Sequence, residues 1–127
     1  MTTLDEFLAL PDVANTTEEI ALKRLGKFVV KPMTHDQFGG YQARAKVRNS
    51  KGIDFDSSKL NLLIVAGQTV SPDFSNAEFL AKANCTTASD FIKKKFRSGE
   101  IAELANKITE ISGFDVDFNE AVEEAKN

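Results

Sequence analysis

The run Leu60-Asn61-Leu62-Leu63-Ile64-Val65-Ala66-Gly67 is the most apolar stretch of the sequence, and any fold of this chain must bury it. Between Ser57 and Phe74, helical spacing puts Leu60, Leu63, Ile64 and Val70 on one side and Leu62, Val65, Ala66 and Thr69 on another. An element apolar nearly all round needs neighbours on several sides. The pattern predicts a helix, capped by Asp56, Ser57 or Ser58 and stopped by Pro72. A buried strand is the rival reading. Periodicity does not separate the two for a short run, and Ile64, Val65, Thr69 and Val70 are β-branched. Nothing in the stretch can do chemistry, so it organises the fold and not a reaction.

At 127 residues the chain reads as a single domain over 1–127, able to withdraw roughly two-thirds of its unfolded surface from water. With 42% hydrophobic residues, ten Phe and no Trp, phenylalanine rings must supply much of the core volume. One cysteine rules out an internal disulfide, and one cysteine with one histidine cannot make the usual structural zinc site. No basic segment followed by an apolar one opens the sequence, and no apolar run approaches the ~20 residues of a membrane span. The expectation is a cytosolic chain. Its net charge of −3 is unevenly placed: residues 1–19 carry −5, 20–60 carry +6, 61–97 carry +2 and 98–127 carry −6. Acidic ends and a basic middle can attract each other or mark a partner surface.

In chain order, Thr3 to Leu8 starts a short helix with Leu4, Phe7 and Leu8 on one face, ended by Pro11. Ile20 and Leu22, then Phe28 and Val30, alternate with charged residues around Lys23-Arg24-Leu25-Gly26, which predicts a β-hairpin over about 18–32. No third strand is visible. Thr34-His35-Asp36-Gln37 has capping-box spacing and opens a helix carrying Phe38, Tyr41 and Ala45, with Arg44, Lys46 and Arg48 at its far end. Asn49-Ser50-Lys51-Gly52 is a turn. Further starts follow at Ser75 to Glu78 and at Thr86 to Asp90, and a longer helix from Ser98 carries Ile101, Leu104, Ala105, Ile108 and Ile111 on one face. Gly113 ends it in a Schellman-type cap, with Phe114 folding back. Asp117 to Glu120 caps a last helix carrying Phe118, Ala121, Val122 and Ala125. The fold class is therefore α+β and predominantly helical, a β-hairpin packed on a bundle of five to six short helices.

Residue types that carry chemistry are sparse. A thiol activated by an imidazole makes Cys85 and His35 a conceivable nucleophile and base, but the stronger reading packs Cys85 as a small hydrophobe at a helix junction and leaves His35 in a solvated first turn. Asp115, Asp117 and Asn119 imitate the start of a calcium loop, but Glu120 stands where glycine is needed and Lys126 where a bidentate glutamate is needed. Lys93-Lys94-Lys95-Phe96-Arg97 is a basic cluster that reads as a solvated helix face, and the acidic whole argues against nucleic acid. No phosphate-binding glycine loop or nucleophile elbow is present. No cofactor, metal or catalytic residue is expected.

The order of Val70-Ser71-Pro72-Asp73-Phe74, Gly99-Glu100-Ile101, Ser112-Gly113-Phe114 and Glu123-Glu124-Ala125-Lys126-Asn127 resembles the XkdN-like phage tail assembly chaperones. The resemblance runs from Glu19 onward, takes in the charged hairpin, Met33-Thr34 and Leu63-Ile64-Val65, and is firmest from Phe55 to Asn127. Asn84 stands where the family often has glycine, and Ala88 where it often has proline. The resemblance implies a non-catalytic phage or prophage protein of the host cytoplasm that binds the tape measure protein during tail-tube assembly and is not in the mature virion. A longer, frameshifted form of the chain and the tail tube protein are further partners of that picture; nucleic acid and membrane are not. The partner surface is expected on Phe38, Tyr41, Arg44, Lys46, Arg48 and Lys51, because a groove for an amphipathic helix is apolar with a charged rim. Two other classes of function compete. A tail component retained in the particle would be found by mass spectrometry of purified tails, and a small nucleic-acid-binding regulator by a salt-dependent gel shift.

Overall fold

The computed structural model describes residues 3–114. Its elements run α1 (Leu4–Leu8), a 3-10 turn (Val13–Asn15), β1 (Glu18–Leu22), β2 (Gly26–Val30), α2 (His35–Ala45), β3 (Lys46–Asn49), β4 (Gly52–Phe55), α3 (Ser57–Gln68), β5 (Thr69–Ser71), α4 (Ala77–Lys82), α5 (Ala88–Lys95) and α6 (Ser98–Ile111). This is the expected α+β architecture, a hairpin on a helical bundle. The last helix and the calcium-like loop read from the sequence lie outside the described residues.

The hairpin forms because its apolar residues alternate. Ile20 pairs with Phe28 and Leu22 with Gly26, and Ile20, Leu22, Phe28 and Val30 all turn into the core. Gly26, at φ +94°, occupies the left-handed position of the loop that a side chain would strain. On the helical side, Ile64, Val65, Ile92, Leu104 and Ile108 are fully enclosed. Phe74 joins the two sides, its ring 6.4 Å from that of Phe28, 5.8 Å from Phe91 and 5.9 Å from Phe96. The phenylalanines thus form a connected cluster, as a core without tryptophan requires.

The apolar run is a helix, and it has neighbours on several sides: α2, α5 and α6 all pack on α3. Asp56 supplies its cap, the carboxylate accepting the Lys59 N–H at 3.0 Å. The helix does not extend to Pro72. It ends at Gln68, and Thr69–Ser71 becomes β5, a third strand paired antiparallel with β2 in the sheet order β1-β2-β5. The β-branched pair Thr69 and Val70 favours that switch, and the free edge of β2 supplies the partner. Val70, read as inward, is instead 42% exposed.

A second correction concerns α2. It opens with the expected capping box, in which the Gln37 N–H donates to Thr34 Oγ1 at 3.2 Å and the Thr34 N–H to Gln37 Oε1 at 3.0 Å. It stops at Ala45, before Lys46 and Arg48. Those residues lie on β3, which forms a two-stranded hairpin with β4, pairing Lys46 with Phe55, Val47 with Asp54 and Arg48 with Ile53. Lys46-Val47-Arg48 and Ile53-Asp54-Phe55 alternate with period two across a tight turn, and Gly52 at φ +119° closes it. Local alternation outweighs the continuation of the helix.

Helix ends follow the sequence closely. Asn76, one residue past the expected Ser75, caps α4, and Thr87 caps α5. At the end of α6 the Phe114 N–H donates to the Thr109 carbonyl at 3.3 Å and the Gly113 N–H to that of Glu110 at 3.1 Å, the two bonds of a Schellman motif. The end of α4 repeats the arrangement with Asn84 at φ +57° in the glycine-like position, so asparagine there meets the same backbone need.

Two contacts between elements fix the assembly. The Tyr41 hydroxyl donates to Gln68 Oε1 at 2.7 Å, while Gln68 Nε2 donates to the carbonyls of Lys31 at 3.0 Å and Pro32 at 3.1 Å. Gly67 lies directly beneath Tyr41: a Cβ there would overlap the hydroxyl and stand 2.7 Å from Cζ. At the other end, Arg24 in the first hairpin's loop donates Nη2 to Glu100 Oε1 at 2.6 Å, Nε to Oε2 at 2.9 Å, and Nη2 again to the Lys95 carbonyl at 2.9 Å. This bidentate pair, with the Arg97 N–H at 2.7 Å, holds the Glu100 carboxyl at about 2, well below its ordinary 4.5.

Gly67→Ala should therefore destabilise the protein. Helix propensity alone would gain up to ~1 kcal/mol, but Tyr41 is buried and bonded and cannot move aside, so a net loss of about 1–3 kcal/mol in urea unfolding is expected. A gain in stability would contradict the packing described. For the ion pair, the folded pKa of Glu100 is depressed, so its stabilisation is complete above pH ~4.5 and vanishes as pH falls towards 2. The stability gap between wild type and Glu100→Gln should close over that window; a gap that persists at pH 2 would contradict it.

Candidate partner-binding surface

The six residues singled out from the sequence separate into two groups. Tyr41 is only 9% exposed, held by Gln68, and burial pushes its phenol pKa up, with the Arg44 charge opposing. Phe38 is half-buried, its ring 4.9 Å from that of Phe114. These two aromatics anchor α2 to the body. The four cations are exposed: Arg44 in the last turn of α2, its guanidinium 5.8 Å from the centre of the Tyr41 ring, Lys46 and Arg48 on β3, and Lys51 in the turn. The structure brings them together along one continuous piece of chain.

Strand register sorts the hairpin's side chains. Directly opposed residues share a face, so Lys46, Arg48, Ile53 and Phe55 lie on one side and Val47 and Asp54 on the other. Ile53 is 64% exposed between the two cations' strand and the half-buried Phe55. Among the described residues, Arg44, Lys46 and Arg48 take part in no ion pair. The result is a small apolar platform with a cationic border, on a ribbon only two strands wide. Ile53 was not singled out from the sequence. The alternation of Ile53-Asp54-Phe55 after a glycine-closed turn is the signal that points to it.

Two other exposed features stand apart from it. Between α3, α5 and α6 lie two adjoining hollows of about 320 and 350 Å³, sharing Ser58, Leu62 and Lys93. Leu62, Leu63 and Ile101 provide apolar lining, and Asp56, Lys59 and Lys93 the charged rim. At the other extreme, α1 forms as expected, with Thr3 Oγ1 accepting the Glu6 N–H at 3.2 Å, but buries nothing: Leu4 is 78% and Phe7 65% exposed.

The remaining candidate residues are scattered. His35 is exposed in the first turn of α2, and Cys85 is half-buried where α4 gives way to α5, packed against the core. Lys93, Lys94 and Lys95 form the last turn of α5 and are exposed. Among the described residues no three His, Cys, Asp or Glu side chains converge as a metal site would require, and no helix is long and apolar enough to cross a membrane.

The model of the phage XkdN-like tail assembly chaperone family matches residues 4–126. The phage-like element PBSX protein XkdN of Bacillus subtilis (strain 168) is 33% identical over 107 residues, which cover 79% of this chain and 72% of that protein. The crystal structure of the protein YqbN superposes with a TM-score of 0.60 over 79% of this chain and 87% of that one, at 23% identity, and so shares the fold. With the family pattern spanning nearly its whole length, this chain belongs to the XkdN-like family of phage tail assembly chaperones.

Proposed function

We propose that this chain binds the tape measure protein while the tail tube polymerises, through the face that carries Arg44, Lys46, Arg48, Lys51 and Ile53. The family supplies the role in tail assembly. The observation that supports the docking face is Ile53, a large exposed aliphatic side chain on the same side of a two-stranded ribbon as Lys46 and Arg48. An amphipathic helix buries one apolar stripe and flanks it with charges, so such a platform takes the stripe while its border pairs with carboxylates. The work is binding and release, with no bond made or broken. It takes place in the host cytoplasm, and the chaperone leaves before the virion is complete.

Co-expression with the tape measure protein of the same tail tests the reading. Wild type should render the partner soluble and co-elute with it. Reversing Arg44, Lys46, Arg48 and Lys51 to Glu should cut recovery about tenfold or more, each exposed charge contributing up to ~1 kcal/mol, while the urea midpoint barely moves. Undiminished capture by the folded variant would exclude this face, and failure of wild type to solubilise the partner would exclude the partner. Mass spectrometry of purified tails should find no copies of the chain; retention would favour a structural tail component.

A further inference from the structure

We propose that α1 of one molecule docks in the α3–α5–α6 hollows of a second copy of this chain. The contact uses no residue of the Lys46–Arg48–Ile53 face and does not rest on the function proposed above. Leu4, Phe7 and Leu8 are spaced to share one side of α1, and with Leu10 they put four large exposed apolar side chains within seven residues. Single apolar residues are ordinary on a surface, but a run of them on an element that buries nothing marks an interaction site. A helix of five residues is also marginal in water on its own, and it gains stability from a surface against which its apolar side packs.

The hollows supply such a surface. Leu62, Leu63 and Ile101 line them, and Lys59 and Lys93 stand on the rim in no ion pair among the described residues. Asp56, the carboxylate on that rim, is engaged by the Lys59 N–H at the cap of α3. Asp5 and Glu6 flank the apolar side of α1, and no Lys or Arg precedes Lys23 in the sequence. An acidic apolar ridge thus meets a basic apolar hollow, each complementing the other in shape and sign. Both features belong to the same chain, and no residue of α1 lines its own hollows, so the pairing joins copies head to tail. Every copy gives one ridge and takes one, which permits either a reciprocal pair or a longer series. With so short a helix the buried area falls below the ~1,200 Å² of standard interfaces, so association is weak and depends on concentration.

Sedimentation equilibrium of the full chain should show a mass that rises with concentration. A variant carrying Leu4→Ser, Phe7→Ser and Leu8→Ser should associate about tenfold or more weakly, and one carrying Lys59→Glu and Lys93→Glu several-fold more weakly. Both should keep the wild-type urea midpoint, because every altered side chain is exposed. The two variants mixed should associate better than either alone, since each retains the half of the contact that the other lacks. In an equal mixture of light and 15N-labelled wild type, carbodiimide should join the Lys59 or Lys93 ammonium to the Asp5 or Glu6 carboxylate, pairing light with heavy as often as like with like. A chain that stays monomeric up to millimolar concentration, or association indifferent to either set of substitutions, would overturn the proposal. So would a mixture no better than its components, crosslinks confined to single copies, or crosslinks of Lys59 and Lys93 mainly to other carboxylates.

Discussion

A single buried residue, Gln68, joins three pieces of this fold: α3, α2 and the segment after β2. Its amide oxygen accepts from Tyr41 on α2, its amide nitrogen donates to the carbonyls of Lys31 and Pro32 beyond β2, and its own carbonyl accepts the Lys31 N–H at 2.9 Å. A primary amide enclosed at 2% exposure would be costly if any of these partners were missing, on the order of 1–3 kcal/mol for each unsatisfied group. Satisfied, it specifies where α3 must end and where β5 must begin. Gly67 completes the device, because only a residue without a Cβ lets the Tyr41 ring lie across the helix at that level.

From this junction the rest of the architecture follows. With Tyr41 fixed, α2 cannot rotate, and the chain leaving Ala45 enters the β3–β4 ribbon in one orientation. The bond from the Asp56 N–H to the Ala45 carbonyl at 2.8 Å closes the base of that ribbon and hands the chain to α3. The cationic platform is thus exposed at its tip and rigidly held at its root. At the opposite end, Arg24 and Glu100 tie the first hairpin's loop to the start of α6, and Phe28 packs 5.7 Å from Phe96 beneath it. For the partner face proposed above, such a base leaves less ordering to be done on binding.

Much of this was legible in the residues. Alternation in Ile20, Leu22, Phe28 and Val30 predicted the first hairpin, Thr34 and Gln37 the start of α2, and Gly113 with Phe114 the cap of α6, because each signal is local. The third strand was not legible: Thr69–Ser71 pairs only because β2, far away in sequence, offers its edge. The second hairpin was visible in principle, but Arg44, Lys46 and Arg48 also suit the basic end of a helix, and that reading hid the ribbon. Of the residues expected at the partner surface, Arg44, Lys46, Arg48 and Lys51 are exposed, as their charge suggests. Tyr41 was read as a surface residue but its ring serves the interior, and the exposure of Ile53 was hidden because reading 44–48 as helix concealed the strand alternation of Ile53-Asp54-Phe55.

Hydrogen-exchange footprinting of the full chain with and without tape measure protein reads the proposed docking face residue by residue. Added protection should concentrate in residues 44–55, with the α3–α5–α6 hollows unchanged. Protection centred on Leu62, Lys93 and Ile101, or none within 44–55, would contradict it.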